Sequence, residues 1–65
     1  MRYTQGQRVE VRFEKRWYTG TVVLDDGYCV FVDIDEVKGT RVSGQRIEFD
    51  YENVRTMSRE HADID

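Results

Sequence analysis

Side chains able to carry covalent chemistry are few in this chain. Cys29 is the only cysteine and His61 the only histidine. A thiol needs a neighbouring base to act as a nucleophile, and a zinc site needs several nitrogen or sulfur ligands. No neighbouring base can be assigned to Cys29, and His61 has no second histidine or nearby cysteine with which to bind a metal ion. We therefore expect a protein that is not an enzyme and that holds no cofactor and no metal.

The acidic residues offer a second kind of chemistry, the binding of cations. Asp25 and Asp26 precede a glycine and are explained as turn formers, and the spacing of a calcium loop is absent. Asp33, Asp35 and Glu36 instead follow an apolar run. These three carboxylates are better suited to receive a cationic peptide than a metal ion.

Length and cysteine content limit the class of protein. A chain of 65 residues forms one domain with a small core, and a deep substrate pocket would compete with that core for apolar side chains. A lone cysteine cannot form an internal disulfide and suits a reducing compartment. No apolar stretch is long enough for a membrane span. We expect a soluble intracellular monomer, cytoplasmic, or nuclear if the source is eukaryotic.

The charge is distributed unevenly along the chain. Residues 1–55 hold nine Lys or Arg against ten Asp or Glu, whereas residues 56–65 hold one against three. The body is nearly neutral and the end is acidic. A neutral body lacks the overall positive bias that proteins binding nucleic-acid backbones usually show.

Alternating apolar and polar residues predict five short strands, over 7–13, 17–24, 28–34, 40–49 and 54–57, with one helical turn over 50–53. Leu24 and Tyr28 fall on the inward side of their strands, and an Asp-Gly hairpin turn separates them. Gly44 is placed where the fourth strand bends. The pattern predicts an all-β fold, a small five-stranded antiparallel barrel over 1–57, followed by a flexible, disordered acidic tail over 58–65.

Four segments of this chain resemble the Tudor family of SH3-like barrels. The first strand reads GQRVEVRF from Gly6, and the second reads WYTGTV from Trp17. The third strand ends in Asp33-Ile34-Asp35, and Asn53-Val54-Arg55 follows later. The resemblance covers residues 6–57 and implies an SH3-like, Tudor-like barrel that binds a protein or peptide.

In the Tudor family a cage of aromatic side chains, helped by an acidic one, receives a methylated lysine or arginine. Aromatic faces attract a cation while their apolar bodies accommodate its methyl groups. Phe13 and Tyr18 have inward parity on either side of one loop, and Trp17 has outward parity. We assign Tyr18 mainly to the end of the barrel and Trp17 mainly to a binding face. The ligand-binding residues that the resemblance implies are Phe13, Trp17, Tyr18, Phe31, Asp33 and Asp35.

Nucleic-acid binding is the main alternative. Basic side chains cluster around the first loop beside Trp17, and others fall on a neighbouring segment, an arrangement that resembles KOW domains of the transcription and translation machinery. Such a surface can contact phosphates and stack bases. The candidate residues are Arg12, Lys15, Arg16, Arg41 and Arg46. A third alternative is a structural subunit whose exposed strand edge pairs with another chain.

Overall fold

The computed structural model describes residues 1–57, which form five antiparallel strands and one 3-10 turn. The elements are β1 (Arg8–Phe13), β2 (Arg16–Asp25), β3 (Val30–Ile34), β4 (Arg46–Phe49), the 3-10 turn (Tyr51–Asn53) and β5 (Val54–Thr56). They form one sheet in the order β4-β3-β2-β1-β5. The all-β prediction is confirmed. The described pairing ends on β4 and β5, so closure into a barrel stays a prediction, and the predicted tail over 58–65 lies outside the described residues.

The core consists mainly of β-branched side chains from alternate strand positions. Val9 and Val11 of β1 and Val30 and Val32 of β3 are fully buried, as strand alternation requires. Larger half-buried side chains, among them Phe13 and Tyr18, pack against this cluster. The buried cluster is made of Val9, Val11, Val22, Val30, Val32, Ile34, Val42, Phe49 and Val54.

The helical turn predicted over 50–53 is confirmed as the 3-10 turn, but the fourth strand is shorter than predicted. The segment 41–44 is a turn, and β4 begins only at Arg46. Gly44 has a φ of 69°, which is a left-handed turn conformation and not a bend within a strand. Val42 is nevertheless buried in the core. Within residues 1–57 no helix has the length and apolar character needed to cross a membrane.

A shift in strand pairing reverses the predicted orientation of Leu24. Val22 is opposite Val32, but Leu24 is opposite Phe31, so one extra residue of β2 is accommodated between them. Such a bulge exchanges the two faces of a strand beyond it. Leu24 is consequently 52% exposed, and Asp25 is buried in its place.

The connection from β2 to β3 covers residues 26–29 and is also one residue longer than the predicted Asp-Gly turn over 25–27. Tyr28, predicted at the inward start of the third strand, lies in this connection and is exposed, whereas Cys29 is buried. The carboxylate of Asp26 accepts hydrogen bonds from the backbone N–H groups of Tyr28 and Cys29, at 2.8 and 3.0 Å. These side-chain contacts stabilise a wider loop, an option that Asp offers in place of a primed turn.

The buried carboxylate of Asp25 joins three separate segments. It accepts hydrogen bonds from the backbone N–H groups of Arg2 and Tyr3 at 2.7 and 2.9 Å, from the N–H of Gly27 at 2.9 Å, and from the Tyr51 hydroxyl. Burial by itself raises the pKa of Asp25, but the hydrogen bonds from Tyr51 and the three N–H groups outweigh it. The net effect is a pKa well below the ordinary range.

At Gly20 of β2 the neighbouring strand β3 leaves no room for a side chain. A Cβ atom at this position would lie 2.6 Å from the backbone oxygen of Asp33 and 2.7 Å from a methyl group of Val32. Both distances are shorter than van der Waals contact allows, and one of the atoms belongs to the backbone. Only glycine fits here without moving a strand.

We predict that Gly20→Ala lowers the free energy of unfolding by about 2 kcal/mol, because the added methyl group overpacks a rigid site. Urea denaturation measures the change. Thr56→Ala, at an exposed position of β5, is the control and should change stability by less than about 0.5 kcal/mol. Equal stability of Gly20→Ala and the control would contradict the close approach.

We predict that Asp25→Asn weakens the fold at neutral pH and reduces its sensitivity to acid. A carboxylate whose folded-state pKa is lowered stabilises the fold above its unfolded pKa, about 3.9, and loses that effect as the pH falls further. Denaturation midpoints between pH 7 and pH 2 should therefore fall less steeply in Asp25→Asn than in the wild type. Glu52→Gln, at an exposed position of the 3-10 turn, should keep the wild-type slope, and an unchanged slope in Asp25→Asn would refute the role of this carboxylate.

Candidate functional site

The six residues that sequence reasoning assigns to ligand binding are divided between two sides of the sheet. Phe13 and Tyr18 are half-buried and pack against the core. Asp33 alternates with the buried Val32 and Ile34 along the sheet and faces away from the core. Trp17, Phe31 and Asp35 also belong to this outer face, by strand alternation and by the contacts that they make. The structure therefore does not bring all six together.

Both aspartates of the predicted site are paired with arginines on the outer face. Arg46 Nε donates to Asp33 Oδ1 at 2.7 Å, and Arg8 Nη1 donates to Asp35 Oδ1 at 2.8 Å. The hydrogen bond from Arg8, followed by that from the Thr19 hydroxyl, lowers the pKa of Asp35 to about 2. The hydrogen bond from Arg46 likewise lowers the pKa of Asp33. A new cation would have to compete with these guanidinium groups.

Trp17 is also engaged by a cation of the same chain. The guanidinium carbon of Arg55 lies 3.7 Å from the centroid of the Trp17 ring, and Arg55 Nε donates to Glu10 Oε1 at 2.8 Å. This cation–π contact covers one face of the indole and leaves Trp17 38% exposed. It accounts for a large aromatic side chain on the outer face without a bound ligand.

The turn between β1 and β2 positions Phe13 and Tyr18. Phe13 is paired with Arg16, so only Glu14 and Lys15 make the turn. Their φ angles are 51° and 70°. Two consecutive positive φ angles are the feature of a type I′ turn, which usually contains Asn and Gly. The chain thus adopts a tight, strained hairpin at the site where its half-buried aromatic residues meet solvent.

A groove that we call the acidic groove lies on one side of Phe13. Its volume is about 480 Å³. Phe13 and the inward residues Ile47 and Phe49 of β4 supply its apolar surface. The lining residues include three acidic ones and one basic one, so their summed formal charge is −2. The lining residues are Arg12, Phe13, Glu14, Ile47, Glu48, Phe49, Asp50 and Asn53.

A smaller groove that we call the basic groove also includes Phe13. Its volume is about 190 Å³, and Phe13, Tyr18 and Val42 give it apolar walls. Arg16 and Arg41 outnumber Glu14, so its formal charge is +1. The lining residues are Phe13, Glu14, Arg16, Tyr18, Gly39, Arg41 and Val42. Phe13 and Glu14 therefore belong to both grooves.

The five basic residues of the nucleic-acid alternative do not form one continuous surface. Arg12 lines the acidic groove, whereas Arg16 and Arg41 line the basic groove. Arg41 Nη2 lies 3.3 Å from Glu14 Oε1, and Arg46 is paired with Asp33. Lys15 occupies the strained turn. Acidic neighbours interrupt the positive charge that phosphate binding needs.

Sequence reasoning missed the residues that β4 contributes to the acidic groove. These are Ile47, Glu48 and Phe49, and the same stretch of chain adds Asp50, which follows β4, and Asn53 of the 3-10 turn. The inward parity of Ile47 and Phe49 was visible in the sequence, but their contact with the β1–β2 hairpin depends on how the sheet curves. Val42 was missed for another reason, since it enters the core from a turn.

Cys29 is buried, and its thiol is held in the protonated form. Burial, followed by a contact with Glu48, raises the pKa of Cys29 to about 11. A protonated thiol is a poor nucleophile. Among residues 1–57, no three His, Cys, Asp or Glu side chains are grouped in a way that could hold a metal ion, and His61 lies outside the described range.

Comparisons of the chain with protein-family models, with curated proteins and with solved structures found no match.

The strained turn leads to a prediction that separates backbone conformation from side-chain charge. Lys15→Gly should be more stable than Lys15→Ala by about 0.5 to 1 kcal/mol, because glycine adopts a positive φ without the steric cost that alanine bears. Both variants lose the same charge, so chemical denaturation isolates the backbone effect. If Lys15→Ala is the more stable variant, residue 15 does not have the left-handed conformation.

Proposed function

We propose that the chain is a non-catalytic binding module with a Tudor-like, SH3-like barrel fold that recognises a protein or peptide through a cationic side chain. The observation that carries this proposal is the acidic groove, whose lining combines the apolar residues Phe13, Ile47 and Phe49 with three acidic residues. A lysine or arginine side chain has a matching structure, with an apolar stem and a charged end.

The binding role of each part of the groove follows from this match. Phe13 offers an aromatic surface that can contact the apolar stem or interact with the cation through its ring face. Glu14, Glu48 and Asp50 can attract the ammonium or guanidinium group electrostatically. This assignment keeps the aromatic and acidic recognition expected from the resemblance. The acidic role passes to Glu14, Glu48 and Asp50, because Asp33 and Asp35 are paired with arginines.

Protein or peptide binding is better supported than nucleic-acid binding. The basic groove is small and Arg41 is paired with a glutamate, while the larger groove has a negative formal charge that repels phosphate. Trp17, the aromatic side chain on which the nucleic-acid alternative relies, already stacks with Arg55. Base stacking would require that contact to be replaced.

We predict that a fluorescent lysine-containing peptide binds the wild type and binds Glu48→Gln and Asp50→Asn about three-fold more weakly. Loss of one exposed ion pair costs roughly 0.2–1 kcal/mol, which corresponds to a change of that order. Fluorescence polarisation at low and moderate salt measures the affinities, and trimethylated and unmodified lysine are compared in parallel.

Glu52→Gln is the matched control, because it removes a carboxylate from the neighbouring 3-10 turn that does not line the groove. Its affinity should equal that of the wild type. An equal loss in all three variants would indicate a general charge effect. Absence of binding by every cationic peptide, or stronger binding of single-stranded RNA, would refute the proposed function.

A further inference from the structure

The two grooves on either side of Phe13 have opposite formal charges and share Glu14. The acidic groove has a formal charge of −2 and the basic groove a formal charge of +1. A ligand with a single cationic group would match only the first groove. The second groove is therefore left without an occupant by the proposed function.

The basic groove has fixed walls and an available guanidinium group. The guanidinium carbon of Arg16 lies 5.8 Å from the centroid of the Tyr18 ring. The backbone of the loop that carries Arg41 is held by hydrogen bonds from Gln45, whose N–H donates to the Val42 oxygen and whose Nε2 donates to the Arg41 oxygen, both at 3.0 Å. Arg41 is consequently anchored at its backbone while its side chain extends into solvent.

The contact between Arg41 and Glu14 is weak enough to be replaced. It is a single contact of 3.3 Å between two well-exposed side chains. A guanidinium group has five N–H donors and binds a carboxylate best through two parallel hydrogen bonds. A ligand carboxylate placed against Arg41 would make the better bond and release Glu14 toward the acidic groove, which it also lines.

We propose that the ligand is a peptide of mixed charge, in which an aspartate or glutamate side chain binds Arg41 and Arg16 while a nearby lysine or arginine occupies the acidic groove. In the free protein the Glu14 carboxylate contacts Arg41 where the ligand carboxylate would bind. This inference rests on the proposed function for its cationic half, and it adds the acidic half through charge complementarity with the basic groove.

Glu14→Gln tests the inference because its effects on the two halves of the ligand should have opposite signs. The variant removes a carboxylate that attracts the cation and also removes the competitor for Arg41. A lysine-only peptide should bind about three-fold more weakly, and a glutamate-only peptide about three-fold more tightly. Isothermal titration with the intact chain measures both affinities.

Arg41→Gln supplies the reverse test with peptides that contain one lysine and one glutamate, separated by one to three residues. It should weaken the best of these peptides about three-fold and should not weaken the lysine-only peptide, because Glu14 then no longer pairs with Arg41. Lys38→Gln, in the same loop but outside the basic groove, controls for net charge and should behave like the wild type.

The outcomes separate this inference from the proposed function. If the lysine-only peptide binds and Arg41→Gln matches Lys38→Gln, the acidic half of the ligand is refuted while the cationic half stands. If no lysine-only peptide binds the wild type, the proposed function fails, and the mixed-charge peptide fails with it. Competition by single-stranded RNA that depends on Arg41 would assign the basic groove to phosphate and overturn the inference.

Discussion

The buried carboxylate of Asp25 is the interaction on which the arrangement of the chain most depends. It accepts hydrogen bonds from the N-terminal segment, from the β2–β3 connection and from Tyr51 in the 3-10 turn. The core is built mostly from valine and isoleucine, whose packing alone does not define how the loops attach. A buried ionised group must have its hydrogen bonds satisfied. Tyr51 lies between Asp50 and Asn53 in the chain. Its hydrogen bond to Asp25 therefore also holds the segment that lines the acidic groove.

Charge pairing gives the two sides of the sheet different roles. On the outer face Arg8, Arg46 and Arg55 each donate to a carboxylate of another segment of the chain. Exposed pairs of this kind contribute little to stability, but they leave little unmatched charge on that face. Around Phe13 the charges are separated into two grooves of opposite sign. The strained β1–β2 turn lies between them, and strain of this kind is often kept where a binding site requires a particular backbone.

Alternation along the chain was sufficient to predict that there are five strands and that Val9, Val11 and Val32 face inward, but it began the fourth strand at residue 40, whereas β4 begins at Arg46. Alternation also failed after Val22, because a bulge there exchanges the inward and outward positions of the strand by one residue. No residue type in the sequence indicates that bulge. The same alternation already placed Phe13 and Asp33 on opposite sides, so a site containing both was in conflict with the strand pattern. The contribution of β4 to the acidic groove depends on sheet curvature, which a pattern of residue types does not specify.

The most direct test of peptide binding beside Phe13 is the change in amide chemical shifts when the isotopically labelled protein is titrated with a mixed-charge peptide of lysine and glutamate. We predict the largest shifts at Phe13, Glu14, Glu48 and Asp50, with the outer face unaffected. Shifts centred on Trp17 and the other outer-face residues, or no shifts at all, would contradict recognition through the grooves beside Phe13.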